Sequence, residues 1–352
     1  SGMAPISETL QSYALTGLMR LPLSWITFLT GPARTANGYT LDTRTQWLLT
    51  LVARSGRPPL QDLPLERARR EFALSTEALG GWPQPIGELV DRTVPGPAGS
   101  IPIRIYRPQG AAQSPRGILV YFHGGGWVVG DIPSYDKVCR YLAAKSGCIL
   151  VSVDYRRSPE HRFPAAIDDA MAAFDWVQAH AEALGGDPAR VGIGGDSAGG
   201  NIAAVVALTA RDRPGPKPAF QLLIYPAVDL SGSFPSHQEL GNSYLLTRPM
   251  MDWFRTQYLN SESEIADWRA SPLKAASLAG LPPVYLCTAG FDPLRDEGKA
   301  YADRLRTEGT AVTYREFDSL IHGFVGFTGT ISAAARAMDE IAQAVKQALS
   351  SP

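Results

Sequence analysis

Short β-rich runs alternate with longer helical patterns from about residue 85 to the end of this 352-residue chain. The runs with strand character are rich in Val, Ile, Leu and Tyr, and they cover 101–108, 117–126, 148–156, 190–197, 220–230, 282–292 and 312–318. The stretches with apolar residues at helical spacing are 164–185, 197–213, 292–309 and 332–350. Parallel strands need crossover helices, and continuous apolar strands are buried on both faces. The alternation therefore predicts an α/β fold with a mainly parallel central sheet flanked by helices.

Two stretches do not follow the alternation. Residues 3–80 are helix-like without a clear strand, and residues 240–269 are rich in aromatic and long apolar side chains. Because both flank the segments that hold the candidate chemistry, we interpret them as a helical cap, with additional core helices as the alternative. The predicted domains are an N-terminal helical region contributing to the cap (1–80), a first part of the α/β core (81–239), an inserted cap segment (240–269) and a second part of the core (270–352).

The charge balance excludes a general polyanion-binding protein. The chain has 33 Lys and Arg against 34 Asp and Glu, a formal net charge of -1, and 45% hydrophobic residues. A nucleic-acid partner would need a local basic patch, and no run of Lys or Arg is present. Cys139, Cys148 and Cys287 lack metal-ligand spacing, so we expect buried, reduced thiols and no metal site.

Residues 10–31 are the nearest approach to a membrane segment. Arg20, Pro22 and several Ser and Thr residues interrupt them, so the roughly 20 continuous apolar residues of a membrane span are missing. We predict a pair of amphipathic helices without stable membrane insertion, and contact with a membrane surface is the alternative. No positively charged start precedes this stretch, so we expect no signal peptide and a cytoplasmic location. A homodimer is left open.

A Gly-x-Ser-x-Gly sequence, GDSAG at 195–199, follows the apolar run RVGIG and opens a helical stretch of small residues. This is the strand–turn–helix context of a nucleophile elbow, in which Ser197 projects above the strand ends. Glycine-rich turns of this kind also bind phosphate, but the GK[ST] ending of a nucleotide-binding loop is missing. We therefore predict that Ser197 is a catalytic nucleophile.

HGGGW at 123–127 directly follows the strand-like run ILVYF. Motifs of this type supply the oxyanion hole of lipases and esterases, because glycine N–H groups can approach a substrate oxygen closely. We predict Gly125 and Gly126 as donors, with Gly124 close behind, together with the N–H of Ala198. A plain glycine turn is the alternative.

A serine nucleophile needs a base, and the order of residues in an elbow fold is Ser, then Asp or Glu, then His. Downstream of Ser197 only His237 and His322 remain among the five histidines. His322 follows the strand-like run VTYREF and is the favoured base, whereas His237 is interpreted as a solvated loop residue. Asp292 ends the run VYLCTAGF and is the favoured acid; Asp229 is the alternative if His237 were the base.

The motifs HGGGW, DYRRSPEHRFPAAIDD, GDSAGGN, DPLRDEG and IHGF occur in the order found in the hormone-sensitive-lipase-like group of carboxylesterases, which the chain resembles over roughly residues 85–350. The resemblance implies an α/β-hydrolase fold, a cap built from the N-terminal region and an inserted segment, and hydrolysis of short to medium acyl esters without a cofactor. It also implies a catalytic triad of Ser197, Asp292 and His322, and GDSAG marks the commoner bacterial subgroup. The long stretch before the first strand departs from the family pattern.

These observations predict a serine carboxylesterase that acts on a small-molecule ester through an acyl-enzyme intermediate. An amidase, a lactonase or a feruloyl-type esterase would use the same triad. A receptor without activity, as in the plant gibberellin receptors that resemble this family, is a further alternative, but those receptors lack the base that His322 would supply. For the substrate pocket we predict apolar and aromatic side chains from the HGGGW motif and the inserted cap segment, namely Trp127, Tyr244, Leu245, Leu246 and Phe254.

Overall fold

The computed structural model describes residues 6–112 and 115–350, and ten strands lie within them. In chain order the strands are β1 (Thr35–Ala36), β2 (Tyr39–Thr40), β3 (Glu88–Gly96), β4 (Gly99–Arg107), β5 (Arg116–Phe122), β6 (Ile149–Val153), β7 (Gly186–Asp196), β8 (Gln221–Ile224), β9 (Val284–Phe291) and β10 (Val312–Ile321). β1 and β2 form a separate hairpin, and the other eight form one sheet in the order β10–β9–β8–β7–β5–β6–β4–β3. Pairing is parallel from β10 to β6 and antiparallel for β6–β4 and β4–β3.

The α-helices of the described residues are α1 (Ile6–Met19), α2 (Leu23–Thr30), α3 (Thr43–Arg54), α4 (Leu65–Leu79), α5 (Asp136–Ser146), α6 (Ala165–His180), α7 (Ala198–Arg211), α8 (Pro235–Glu239), α9 (Arg248–Tyr258), α10 (Arg295–Thr307) and α11 (Ser332–Leu349). Short 3-10 turns occur at Leu60–Asp62, Glu262–Ala266, Pro272–Lys274 and Phe324–Phe327.

The sheet is buried because apolar helices cover both of its faces. Along β5 the side chain of Val120 packs into a core with α6 and α7, whereas Leu119 and Tyr121 pack into a second core with α5 and α11. All eight residues of β9 are buried. The predicted α/β class with a mainly parallel sheet is therefore confirmed.

The sequence analysis missed β3 and the β1–β2 hairpin. β3 has largely exposed or half-buried residues at the sheet edge, so it lacks the continuous apolar run of the central strands. The expectation that residues 3–80 contain no strand is wrong because Asn37 and Gly38 form a tight turn, with φ of 53° and 80°. Asn-Gly is a strong hairpin signal, but strands of two residues are too short to show a periodic pattern.

Two regions outside the alternation contact each other. α9 packs against the 3-10 turn Leu60–Asp62. Arg34 donates a hydrogen bond of 3.2 Å to the Ser243 carbonyl oxygen. The N-terminal region and residues 240–269 thus share a surface. None of the helices in residues 6–112 and 115–350 has the length and apolar character needed to cross a membrane.

Candidate active site

Ser197 occupies the turn between β7 and α7, with φ 56° and ψ −116°. Non-glycine residues rarely adopt a positive φ, and such strain is typical of functional turns. The turn is tight, because a Cβ atom at Gly195 or Gly199 would collide with the Phe122 carbonyl oxygen. Glycine at both flanks is therefore a steric requirement, and the Ser197 side chain is left partly exposed.

His322 and Asp292 meet Ser197 at the same edge of the sheet. The Nε2 atom of His322 lies 2.8 Å from the Ser197 Oγ atom, and its Nδ1 atom lies 2.6 Å from Asp292 Oδ2. The other oxygen of Asp292 accepts a hydrogen bond of 2.8 Å from the backbone N–H of Leu294. Asp292 is fully buried. The structure thus brings together the three residues predicted to form the triad.

These contacts follow from the sheet topology. Asp292 directly follows β9, His322 directly follows β10, and Ser197 directly follows β7. The three strands run parallel and are separated only by β8, so their carboxyl ends lie side by side. Ligands and catalytic groups in open α/β sheets gather at this edge.

Tyr225 is a site residue that the sequence analysis missed. Its ring centroid lies 4.4 Å from that of His322, and it is fully buried. Tyr225 directly follows β8, so its strand-end position was the available signal. The ring supports one side of the His322 imidazole.

The glycines of the HGGGW loop are not equivalent. Gly124 donates its backbone N–H to Asp196 Oδ1 over 3.1 Å. Within the described residues the N–H groups of Gly125, Gly126 and Ala198 have no hydrogen-bond acceptor. We therefore remove Gly124 from the predicted oxyanion donors and retain the other three.

Asp196 connects this loop to the nucleophile turn, and the sequence analysis did not single it out. Its carboxylate is buried and accepts hydrogen bonds from the Tyr121 hydroxyl at 2.7 Å, the Tyr135 hydroxyl at 2.8 Å and Gly124. Burial raises the pKa of the Asp196 carboxyl above its ordinary value. Three donors around one buried carboxylate form a rigid connection, because each of them would otherwise be unsatisfied.

The prediction that His237 is a solvated loop residue is wrong. Its side chain is buried, and its Nε2 atom lies 2.8 Å from Glu297 Oε1. The other Glu297 oxygen accepts the backbone N–H groups of Val228 and Asp229. Burial by itself would lower the pKa of the His237 imidazole, but the Glu297 carboxylate outweighs it and raises that pKa. His237 thus pairs with Glu297, and not with Asp229 or Ser197.

The other histidine near the site is His123, whose ring stacks on Tyr155 with centroids 4.4 Å apart. Its Nδ1 atom lies 2.7 Å from the Gly124 carbonyl oxygen. Burial lowers the pKa of the His123 imidazole to about 4. A neutral His123 therefore packs against Tyr155 and the Gly124 carbonyl at the start of the HGGGW loop and makes no hydrogen bond to Ser197.

Of the predicted pocket residues, Phe254 and Leu245 lie against glycines of the candidate site. The Phe254 ring occupies the space that a Cβ atom on Gly126 would need, and Leu245 lies next to Gly323, which follows His322.

Trp127 is buried and stacks on Tyr258 with ring centroids 4.3 Å apart. Leu246 is also buried, and Tyr244 packs on Phe291 with centroids 5.2 Å apart. Trp127 and Leu246 therefore contribute to packing in this structure, and the assignment of these two residues and Tyr244 to the substrate pocket stays a prediction.

The arrangement can perform covalent chemistry with its own side chains. It combines a hydroxyl, an imidazole that touches it, a buried carboxylate that orients the imidazole, and unpaired backbone donors. Within residues 6–112 and 115–350, no group of three or more His, Cys, Asp or Glu side chains is arranged to hold a metal ion.

Comparison with known proteins agrees with this geometry. The model of a family described as alpha/beta hydrolase fold matches residues 119–326. The carboxylic ester hydrolase LipN of Mycobacterium tuberculosis is 44% identical over 321 residues, which cover 89% of this chain and 85% of LipN. Ethyl acetate hydrolase of Pseudomonas putida is 36% identical, over 83% of this chain and 92% of the relative.

Solved structures show the same similarity. A serine-to-alanine mutant of LAE6, an alpha/beta hydrolase from the metagenome of Lake Arreo, Spain, has a TM-score of 0.83 and 44% identity and covers 87% of this chain and 98% of its own. A thermostable esterase from Pseudomonas putida has a TM-score of 0.86 and 35% identity, and the match covers 91% of this chain and 100% of the esterase chain. The chain therefore belongs to the α/β-hydrolase fold family, within the hormone-sensitive-lipase-like group that its motifs resemble.

Proposed function

We propose that this protein is a serine carboxylesterase that hydrolyses short- to medium-chain acyl esters through an acyl-enzyme intermediate. The contact chain from Ser197 Oγ through His322 to Asp292, with distances of 2.8 and 2.6 Å, carries the proposal. The esterase names of relatives at 43–44% identity support the reaction class.

In the first half-reaction the Ser197 Oγ atom attacks the ester carbonyl carbon while His322 Nε2 accepts the serine proton. The tetrahedral intermediate collapses, and the alcohol leaves with the proton that His322 returns to it. Water then attacks the acyl-enzyme with His322 again as base, which releases the acid and restores Ser197. Asp292 holds the imidazole tautomer and stabilises the imidazolium without itself taking the proton.

Negative charge develops on the carbonyl oxygen in both tetrahedral intermediates. The N–H groups of Gly125, Gly126 and Ala198 are available to stabilise it, since Gly124 is already bound to Asp196. In the best-studied case the loss of one such donor costs roughly 3–4 kcal/mol of barrier.

The acyl chain is proposed to lie between Phe254 and Leu245, beneath a cap formed by residues 1–80, of which 1–5 lie outside the described residues, and 240–269. The contacts of α9 with Leu60–Asp62 and of Arg34 with Ser243 support one shared cap. Three buried free cysteines are typical of a reducing compartment and support a cytoplasmic location. The proposal also includes a homodimer, which a measurement of the molecular mass in solution would test.

Release of a chromogenic phenol from aryl acetate, butyrate and octanoate esters tests the reaction. The wild type is expected to hydrolyse them, and Ser197→Ala is expected to lose turnover with an unchanged melting temperature. Residual activity of about 10³-fold over water is compatible with the proposal, because oxyanion binding survives the substitution. Wild-type turnover by Ser197→Ala would reject it. The corresponding anilides separate an esterase from an amidase.

The role of Asp292 is tested against its neighbour Asp296. Asp292→Asn is expected to lower kcat by up to about 10⁴-fold, because the imidazole would be held in the wrong tautomer. Asp296 instead accepts a hydrogen bond from the Ser236 backbone and contacts Arg295, so Asp296→Asn is the matched control and should retain most of the activity.

A further inference from the structure

The N-terminal helix pair exposes an unusual number of large apolar side chains. Phe28 is 87% exposed, Tyr13 is 72% exposed and Trp25 is 64% exposed. Leu10, Leu18 and Leu23 are also exposed. We call these six residues of α1 and α2 the apolar surface. Single exposed apolar residues are ordinary, but six of them on two consecutive helices are the kind of apolar exposure that marks an interaction site.

This exposure does not come from helices detached from the fold. Met19 and Ile26 on the inner side of the pair are fully buried. The indole N–H of Trp47 donates to the Leu18 carbonyl oxygen over 2.9 Å, and Arg44 donates to the Met19 carbonyl oxygen over 2.7 Å. α2 packs against α3 and α1 packs mainly against α4, so the inner sides of both helices are fixed to the fold and the apolar surface is held outward.

Positive charge borders the apolar surface. Residues 9–41 include Arg20 and Arg34 but no Asp or Glu. A depression of about 470 Å³ beside the α1–α2 turn is lined by Met19, Arg20, Arg44 and Arg336, among others. None of Arg20, Arg44 and Arg336 belongs to the ion pairs found among the described residues. An aromatic and leucine-rich surface beside arginines is the composition of helices that lie in the interface of anionic membranes.

We propose that the apolar surface and this arginine-lined depression dock the protein on an anionic phospholipid bilayer as a peripheral protein. The aromatic side chains would enter the boundary between headgroups and acyl chains, and Arg20 and Arg336 would lie at the level of the lipid phosphates. This requires no membrane-spanning helix. A second copy of the chain fits the surface less well, because a two-fold contact would bring the same arginines of both copies together.

A short series of contacts leads from the end of α2 to the proposed active site. Arg34, which follows α2, donates to the Ser243 carbonyl oxygen and lies over the Tyr244 ring, 5.9 Å from its centroid. Leu245 Cδ2 lies 3.9 Å from the position that a Cβ atom on Gly323, next to His322, would take. A docked protein would therefore have its cap close to a source of apolar esters. The docking itself does not depend on catalysis and is tested without it.

Flotation of the full chain with unilamellar vesicles tests the proposal. Vesicles of phosphatidylcholine alone are compared with vesicles in which a third of the lipid is phosphatidylglycerol. The wild type is expected to float with the anionic vesicles, to bind neutral vesicles at least tenfold more weakly, and to be released in about 1 M salt, where charges are screened within about 3 Å. A wild type that fails to bind anionic vesicles overturns the proposal.

Variants of exposed residues locate the surface. Trp25→Ser with Phe28→Ser, and separately Arg20→Glu, are each expected to weaken binding at least tenfold. Phe28→Ser alone is the fallback if the double variant melts earlier. Arg306→Glu, a charge reversal on α10 at an exposed ion pair, is the matched control and should bind as the wild type does. Unchanged binding by the helix variants, or a stable dimer that these substitutions dissociate, would overturn the assignment.

Discussion

The backbone N–H of Gly124 donates a 3.1 Å hydrogen bond to the carboxylate of Asp196, the residue immediately before Ser197. The loop after β5 and the turn after β7 are thereby joined at one buried oxygen. Asp196 reaches no reacting atom itself, so we interpret it as a positioning residue for the Gly125 and Gly126 donors.

Asp196→Ala is expected to lower kcat by roughly tenfold to a hundredfold with little change in KM, because the donors lose their alignment. It should also destabilise the fold by at least about 2 kcal/mol, since three buried donors lose their acceptor. Asp196→Asn retains an acceptor oxygen and should recover most of kcat. Steady-state kinetics of the variants, measured below the lowest of their melting temperatures, test these effects. Asp175 pairs with Arg213, and Asp175→Asn is the control. Full kcat in Asp196→Ala would contradict the interpretation.

Substitution of His322 should lower activity, whereas substitution of His237 should lower mainly stability. His322→Ala is expected to lower kcat by at least about 10³-fold at an unchanged KM, because the base is lost. His237→Ala should keep kcat within about tenfold but lose ~3–5 kcal/mol of stability, since Glu297 would stay buried without its partner. Steady-state kinetics and urea unfolding separate the two effects. An active His322→Ala would exclude the proposed base.

The His237–Glu297 pair should make stability depend on pH. The pKa of His237 is raised in the folded state above the ordinary value of about 6.5. The pair therefore stabilises fully below about pH 6.5, and this stabilisation is lost as the pH rises through the folded pKa. The difference in unfolding free energy between wild type and His237→Asn should be larger at about pH 6 than at about pH 9. A difference that grows with pH would have the wrong sign.

Phe254 should limit acyl length, because its ring fills the space beside Gly126. Phe254→Ala is expected to move the optimum toward longer acyl chains, at about 0.8 kcal/mol, or roughly fourfold in kcat/KM, for each additional buried methylene. A series of aryl esters measures the shift, and Thr256→Ala, at an exposed position on the same helix, is the control. An unchanged optimum would place the acyl pocket elsewhere.

Local chemistry explains why much of the site could be predicted from sequence. GDSAG requires glycines because the turn at Ser197 brings Gly195 and Gly199 against the Phe122 carbonyl, a constraint carried by a few consecutive residues. Burial on both faces likewise makes central strands such as β9 continuous apolar runs. Strand-end position and chain order then identified His322 and Asp292, which the structure places in contact.

Contacts between distant segments were decided only by the tertiary structure. No short stretch of sequence shows that Asp196 accepts the backbone N–H of Gly124. The same holds for the pairing of His237 with Glu297 rather than Asp229, and for the packing of Tyr225 on the His322 ring. Each depends on which strand ends become neighbours, and the sheet order sets this. The sequence by itself thus determined the strand–helix alternation, the tight turn at Ser197 and the strand-end positions of Asp292 and His322, because these depend on backbone sterics and local burial. Tertiary packing decided which donors stay free and which charges are paired, because both depend on groups far apart in the chain.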